Sequence, residues 1–174
     1  GTASAPIVLR GENVGVGSWK GLLVDSEAAG NTLEFVDIIG AGGGAFNSNN
    51  DVSALVIWAD TKLTIRSCQI LESGGHGVSA IYTNSNCSME ESLVAKCADA
   101  PIILLPSYLS ALNGSNSYAD NSLNEIVIAI ETDAILQSMN WVRASIPYRV
   151  RSTFDFFDVV SIAEGETVIE AGTE

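Results

Sequence analysis

Short apolar runs alternate along this chain with clusters of Gly, Asn, Asp and Ser. One set comprises KGLLVD (Lys20–Asp25), SALVIW (Ser53–Trp58), VSAIYT (Val78–Thr83) and PIILLP (Pro101–Pro106). A second set comprises LEFVDII from Leu33, LTIRSCQIL from Leu63 and CSMEESLVA from Cys87. Each run is of strand length, rich in Val, Ile and Leu, and bounded by turn-forming residues, which predicts strands. No capped stripe at i, i+3, i+4, i+7 is sustained, and only Ile130–Val142 leaves room for a helical turn. The pattern predicts an all-β chain.

The runs also repeat. Leu33, Leu63 and Cys87 share a register, followed by Phe35, Ile65 and Met89, then by Ile38, Cys68 and Ser92; the steps are 30 and 24 residues. Ile57 precedes Leu63 by the same distance as Ile81 precedes Cys87. Hairpins joined by two-residue turns do not produce such recurrence, whereas a solenoid does, with one set of strands per turn. The expectation is a right-handed parallel β-helix of about six coils spaced roughly 4.8 Å apart. It forms a single domain over residues 1–174. Inward positions should stack like on like, with Gly and Asn at corners that need positive φ. GAGGGAFNSNND (Gly40–Asp51) should loop out from a corner. Cys68 should be buried, with Ile38 and Ser92 above and below it, and Phe35, Ile65 and Met89 should point inward three residues earlier.

Composition narrows the functional classes. The net charge is −13, from 21 acids and 8 bases, so the chain lacks the basic footprint that nucleic acid requires. Charged residues make up 17% and apolar ones 47%, which fits a large core within a modest surface. No apolar run approaches the roughly 18 residues of a membrane span, and no leader of basic and apolar character opens the sequence. Three cysteines, Cys68, Cys87 and Cys97, permit at most one disulfide and show no metal spacing.

PIVLRGENVGVGSWKGLLV (Pro6–Val24), followed by NTLEFVDIIGAGGG (Asn31–Gly44), resembles the right-handed β-helix repeats of secreted and cell-surface bacterial and archaeal proteins. The Asn-rich LNGSNSYADNSLNEIVI (Leu112–Ile128), NWVRASIPYRV (Asn140–Val150) and VVSIAEGETVIEAGTE (Val159–Glu174) extend the resemblance over nearly the whole chain. It implies the pectin-lyase-like fold and an extracellular or cell-surface location. Function follows less directly, because this architecture serves adhesins, surface layers and carbohydrate-active enzymes alike.

Lyases of this architecture hold Ca2+ with clustered Asp and use Arg or Lys as base, and hydrolases group Asp on neighbouring coils. Here the sheet carboxylates are Asp37, Glu90 and Glu91, with Lys62 and Arg66 nearby. Arg66 should stack on Glu90 as an exposed ion pair, and Asp37 should lie two coils from Glu91. No catalytic residue is expected. His76, beside three glycines, reads as a corner residue without a triad-spaced partner. NSNND (Asn47–Asp51) and YADNS (Tyr118–Ser122) are oxygen-rich loops of the kind that hold Ca2+. Neither has the spacing of a dedicated loop, and turn chemistry accounts for both. No metal or cofactor is therefore assigned. Thr32, Thr61, Thr64 and Thr83 share no register, which argues against an ice-binding threonine ladder. Trp58, beside a polar turn, is the candidate for stacking on a sugar ring.

Both terminal stretches read as uncapped strand: Pro6, Ile7, Val8 and Leu9 at one end, Val168 and Ile169 at the other. The expectation is an extracellular structural subunit whose two edges stack head to tail on other copies of itself, a contact that does not close and so builds a surface fibre or filament. Two alternatives stand beside it. The chain is a segment excised from a longer β-helix, or it is a carbohydrate-binding adhesion module or a lyase or hydrolase domain acting on extracellular polysaccharide.

Overall fold

The computed structural model describes the backbone of residues 1–46, 51–82, 86–130, 139–152 and 167–169, with all their side chains except those at 130, 139–140, 152 and 167–169. The strands are β1 (Ile7–Arg10), β2 (Leu22–Val24), β3 (Thr32–Glu34), β4 (Val36–Ile39), β5 (Ser53–Ile57), β6 (Lys62–Arg66), β7 (Gln69–Leu71) and β8 (His76–Ala80). They continue with β9 (Asn86–Glu90), β10 (Leu93–Ala95), β11 (Ile102–Leu104), β12 (Ser117–Ala119), β13 (Ile126–Ile130), β14 (Met139–Trp141), β15 (Tyr148–Ser152) and β16 (Thr167–Ile169).

Successive strands visit three sheets in rotation. The first sheet is ordered β1-β4-β7-β10-β12, the second β2-β5-β8-β11-β13-β15 and the third β3-β6-β9. β14 and β16 form a further pair. All pairings between these strands are parallel. The protein is all-β, built from parallel sheets. Pro101–Pro106 is strand only as far as Leu104, and a short 3-10 helix, Pro106–Ala111, follows. Proline at its first position has no N–H to lose there.

The register corrects two sequence expectations. Leu63 faces Cys87 at the expected 24-residue step, but Leu33 faces Ile65, not Leu63, a step of 32. The extra residues lie between β4 and β5. A slip of two preserves the pleat, so Leu33 still lies on the inner side of its strand. In the second sheet Val56 faces Ser79, a step of 23, so Ile57 and Ile81 are not equivalent. The β8–β9 turn is one residue longer than the β5–β6 turn, and this restores the 24-residue step in the third sheet.

The core is assembled from columns of like residues. Ile38, Ile70, Val94 and Tyr118 stack in the first sheet. Leu55, Val78, Ile102 and Ile126 stack in the second, and Leu33, Ile65 and Met89 in the third. All but Leu33 are buried in one apolar cluster, against which Leu33 packs. Each stacked pair removes apolar surface from water at about 25 cal/mol per Å².

The corners depart from expectation. Single left-handed residues turn the chain from the third sheet into the first: Phe35 (φ 51), Ser67 (φ 50) and Glu91 (φ 51). Five residues later a second column turns it out again: Gly40 (φ 67), Glu72 (φ 59), Lys96 (φ 58) and Asp120 (φ 55). Only one of the seven is glycine and none is asparagine. Phe35 is therefore a half-buried corner residue, not the inward residue predicted; Leu33 takes that place. A left-handed non-glycine residue costs roughly 1–2 kcal/mol. Inter-strand hydrogen bonds offset this, since Ser67 N–H donates to Glu90 O (3.2 Å), Glu72 N–H to Ala95 O (3.1 Å) and Lys96 N–H to Ala119 O (3.1 Å).

Candidate functional site

β1, β2 and β3 are the outermost strands of their sheets at one end of the stack. Ile7 N–H donates to Phe35 O at 2.9 Å. In a parallel ladder alternate residues bond opposite neighbours, so Val8 and Arg10 direct their backbone groups to the open side of β1. The large apolar side chains exposed among the described residues all lie in this first circuit: Ile7 (50%), Val8 (49%), Val14 (91%) and Val16 (58%). Pro6 is exposed too, while Leu9 packs partly on the core. Ile7 faces Val36, which is buried, so its own exposure comes from lying on the outermost strand. Val168 and Ile169 lie in β16, facing Asn140 and Trp141 of β14. Their side chains are outside the described residues.

A second feature, missed in the sequence, is a buried polar cluster around Asp51. Its Oδ1 accepts the Ser53 hydroxyl (2.6 Å), and its Oδ2 accepts the hydroxyls of Ser79 (2.8 Å) and Tyr82 (3.3 Å). Asp51, Ser53 and Ser79 are all buried. Asn47–Asn50 of the oxygen-rich loop fall outside the described residues. Tyr82 also stacks on Trp58, with ring centroids 4.2 Å apart and planes tilted by 30°. The half-buried Trp58 is thus one half of an aromatic pair. Asp51 carried no signal of its burial, because an Asp closing an Asn-rich stretch reads as turn chemistry.

His76 lies at the start of β8, facing Ser53 of β5. Its Nε2 is 3.7 Å from Asp99 Oδ2, and its Nδ1 is buried without a hydrogen-bond partner. Read from the sequence as a corner residue without a triad-spaced partner, it is instead the first residue of β8, and the fold brings Ser53 and Asp99 to it from 23 residues away on either side. Burial pulls the imidazole below its ordinary range, Asp99 and Asp51 oppose that, and Arg151 reinforces it. The Ser53 and Ser79 hydroxyls are spent on Asp51 and that of Ser73 on the His76 carbonyl, so no Ser–His side-chain pair forms among the described residues.

The outer face of the third sheet is polar. Arg66 faces Glu90 as expected, with Nε–Oε1 at 2.6 Å and Nη2–Oε1 at 2.5 Å. Glu90 raises the guanidinium pKa by hydrogen bond and charge. Glu34 flanks Arg66 on the other strand. Asp37 faces Gln69, which faces Leu93, placing it two circuits before the corner residue Glu91. Lys62 faces Asn86 and is exposed. Thr32 and Thr64 do share a register, contrary to expectation, because the true step is 32; Ser88 continues the row. Two threonines and a serine remain short of a threonine ladder. Among the described residues no group of three His, Cys, Asp or Glu side chains has metal-binding geometry.

All three cysteines are free thiols. Cys68 is buried with Ser92 on one side, as expected, but Val36 and not Ile38 on the other, again through the two-residue slip. Its amide donates to Ser92 Oγ at 3.1 Å, and burial raises its thiol pKa. Of the second oxygen-rich stretch, Tyr118 is a core residue, Asp120 a corner and Asn121 a buried hydrogen-bonding residue. Comparison of the chain with protein-family models, with curated proteins and with solved structures returned no match.

Proposed function

We propose that the chain is a right-handed parallel β-helix acting as an extracellular structural module that stacks on a second copy through its first circuit. The rotation of strands among three parallel sheets, with a recurrent 24-residue step, supports the helical architecture. The observation that carries the stacking is the coincidence at one end of an open strand edge with exposed Ile7, Val8, Val14 and Val16. An uncovered edge is a template for strand addition, and a parallel stack offers one edge at each end for the next copy. No catalytic residue enters this reading. The net charge of −13 opposes self-association at low salt, so stacking should strengthen as ionic strength rises.

Sedimentation velocity over a hundredfold concentration range tests it. Reversible oligomers at high salt, weakened by Val8→Lys and by Val14→Lys, are the expected result. A monodisperse monomer at the highest concentration and salt removes the stacking. A second reading, glycan contact, is favoured by the Trp58–Tyr82 pair, since stacked aromatics offer an apolar face to a sugar ring. Tryptophan fluorescence titrated with extracellular polysaccharides should then move in the parent chain and stay still in Trp58→Ala.

A further inference from the structure

The tripeptide Asn-x-Ser/Thr occurs twice in the chain, as Asn86-Cys87-Ser88 and as Asn113-Gly114-Ser115. This is the acceptor pattern for N-linked glycosylation, in which the hydroxyl two residues on acts together with the asparagine amide. The two copies sit in opposed local geometries.

Asn86 and Ser88 belong to β9. On an extended strand, residues two apart lie on the same face nearly 7 Å from each other, too far for one side chain to reach the other's amide. The Ser88 hydroxyl is instead directed sideways, 3.4 Å from Thr64 Oγ1 on the neighbouring strand. The backbone at Asn86 is also fixed in the sheet, with its N–H on Thr61 O at 2.8 Å.

Asn113 is exposed and follows the last residue bridged to β9, Leu112. Its side chain folds back over its own turn. Oδ1 accepts the backbone N–H of Ser115 at 3.0 Å and also the Ser115 hydroxyl in a short hydrogen bond. That hydroxyl accepts the Glu91 N–H at 2.8 Å, which leaves its proton to point at Asn113. Nδ2 lies on the other side, donating to the Glu90 carboxylate at 3.2 Å. With an acceptor-only carboxylate at one end of the amide and an N–H donor at the other, the assignment of oxygen and nitrogen is fixed. Gly114 between them adds no side chain to the turn.

We infer that Asn113 is a site of N-glycosylation and that Asn86, despite its matching sequence, is not. The donor is a glycan carried on a polyprenyl diphosphate. A bond forms between Asn113 Nδ2 and the anomeric carbon, the bond from that carbon to the diphosphate oxygen breaks, and one amide proton is released. The second amide hydrogen remains available to Glu90. The biological setting rests on the extracellular reading above, but the test below does not.

The purified, folded chain is incubated with a polyprenyl-diphosphate oligosaccharide and a single-subunit oligosaccharyltransferase that accepts Asn-x-Ser, then weighed intact and mapped by peptide. The expected product carries one glycan, on Asn113. It is unchanged in Asn86→Gln and in Ser115→Thr, and lost in Asn113→Gln and in Ser115→Ala, each first checked for the parental circular dichroism. No mass gain in the parent, a glycan on Asn86, a gain of one mass unit from amide hydrolysis alone, or glycosylation that survives Ser115→Ala would each overturn the inference. A chain that stays monomeric yet is glycosylated on Asn113 removes the stacking proposal and leaves this one standing.

Discussion

Asn116 Oδ1 accepts the backbone N–H of Ser92, 24 residues earlier, at 3.1 Å. Its Nδ2 donates to Met89 O (2.8 Å) and to Asn113 O (3.1 Å), so one buried amide ties three backbone groups of the corner. Five residues on, Asn121 repeats the arrangement, with Oδ1 on Cys97 N–H (3.0 Å) and Nδ2 donating to Val94 O (3.3 Å). The two asparagines continue inner columns that hold Cys68 and Ser92 on one side, Ser73 and Cys97 on the other.

Asn116→Leu should therefore lower stability by about 2–4 kcal/mol while filling the same volume. It strands the buried Ser92 N–H and leaves the Met89 and Asn113 carbonyls with only their longer backbone hydrogen bonds, 3.4 and 3.5 Å. Asn116→Asp should cost at least as much, because a buried carboxylate repels those carbonyls. Ser117→Ala, at the exposed first residue of β12 next to it, should change little. Urea unfolding of the three variants checks the order.

Much of this was legible in the chain, and what was not has physical causes. Leu63 and Cys87 could be aligned because equal circuits carry equal strands. Leu33 could not, because the residues inserted after β4 hide the step; the period of two kept Leu33 itself on the inner face, while Phe35 was lost to the corner. The corner columns left no sequence trace: Phe35, Ser67, Glu91, Glu72 and Lys96 are poor left-handed residues, held there by backbone hydrogen bonds to the next strand or, for Glu91, by the Ser115 hydroxyl. Asp51 was read as turn chemistry because its partners, Ser53, Ser79 and Tyr82, converge only in three dimensions.

Gly42→Ala should be among the most damaging small substitutions. Gly42 holds φ at 75°, and a Cβ there would meet Ser73 Oγ at 2.5 Å and Gly74 N at 2.9 Å. Left-handed strain and a backbone clash act together, and a loss of about 2 kcal/mol or more is expected. Gly44→Ala, with open space around its Cβ, serves as the control. Thermal melts of the pair should separate by several degrees.

The thiols should resist modification in the folded chain. Burial pushes Cys87 and Cys97 up to about 11, and Cys87 faces a small apolar void lined by Ile57, Met89 and Leu104. Relative to an ordinary thiol near 8.5–9, the thiolate fraction at pH 8 falls about 100-fold or more, and alkylation slows with it. Because the folded values are raised, the stability these groups contribute is complete below the ordinary thiol pKa and is lost as pH rises through about 11. Timed alkylation followed by intact mass checks the rate; two thiols reacting at the unfolded rate in native buffer would contradict the burial.

His76 reverses that sign. Burial holds its folded pKa below the ordinary value, so the unfolded chain binds the extra proton first as the solution is acidified. Stability from this group is complete above the unfolded pKa near 6.5 and is lost as pH falls through the folded value. Nδ1 is buried without a hydrogen-bond partner and Nε2 lies 3.7 Å from Asp99. Burial is the largest influence and, with Arg151, opposes the charged form; Asp99, Asp51 and the Ala100 backbone favour it. The attraction to Asp99 is weak at that separation, since Asp99 is 42% exposed. Desolvation therefore wins, and the neutral imidazole is the form that fits. His76→Gln cannot take up the proton, so its stability relative to the parent should rise between pH 7 and pH 5. Paired urea titrations at the two pH values measure the change directly; parallel loss in both proteins would mean that His76 titrates as it does in the unfolded chain.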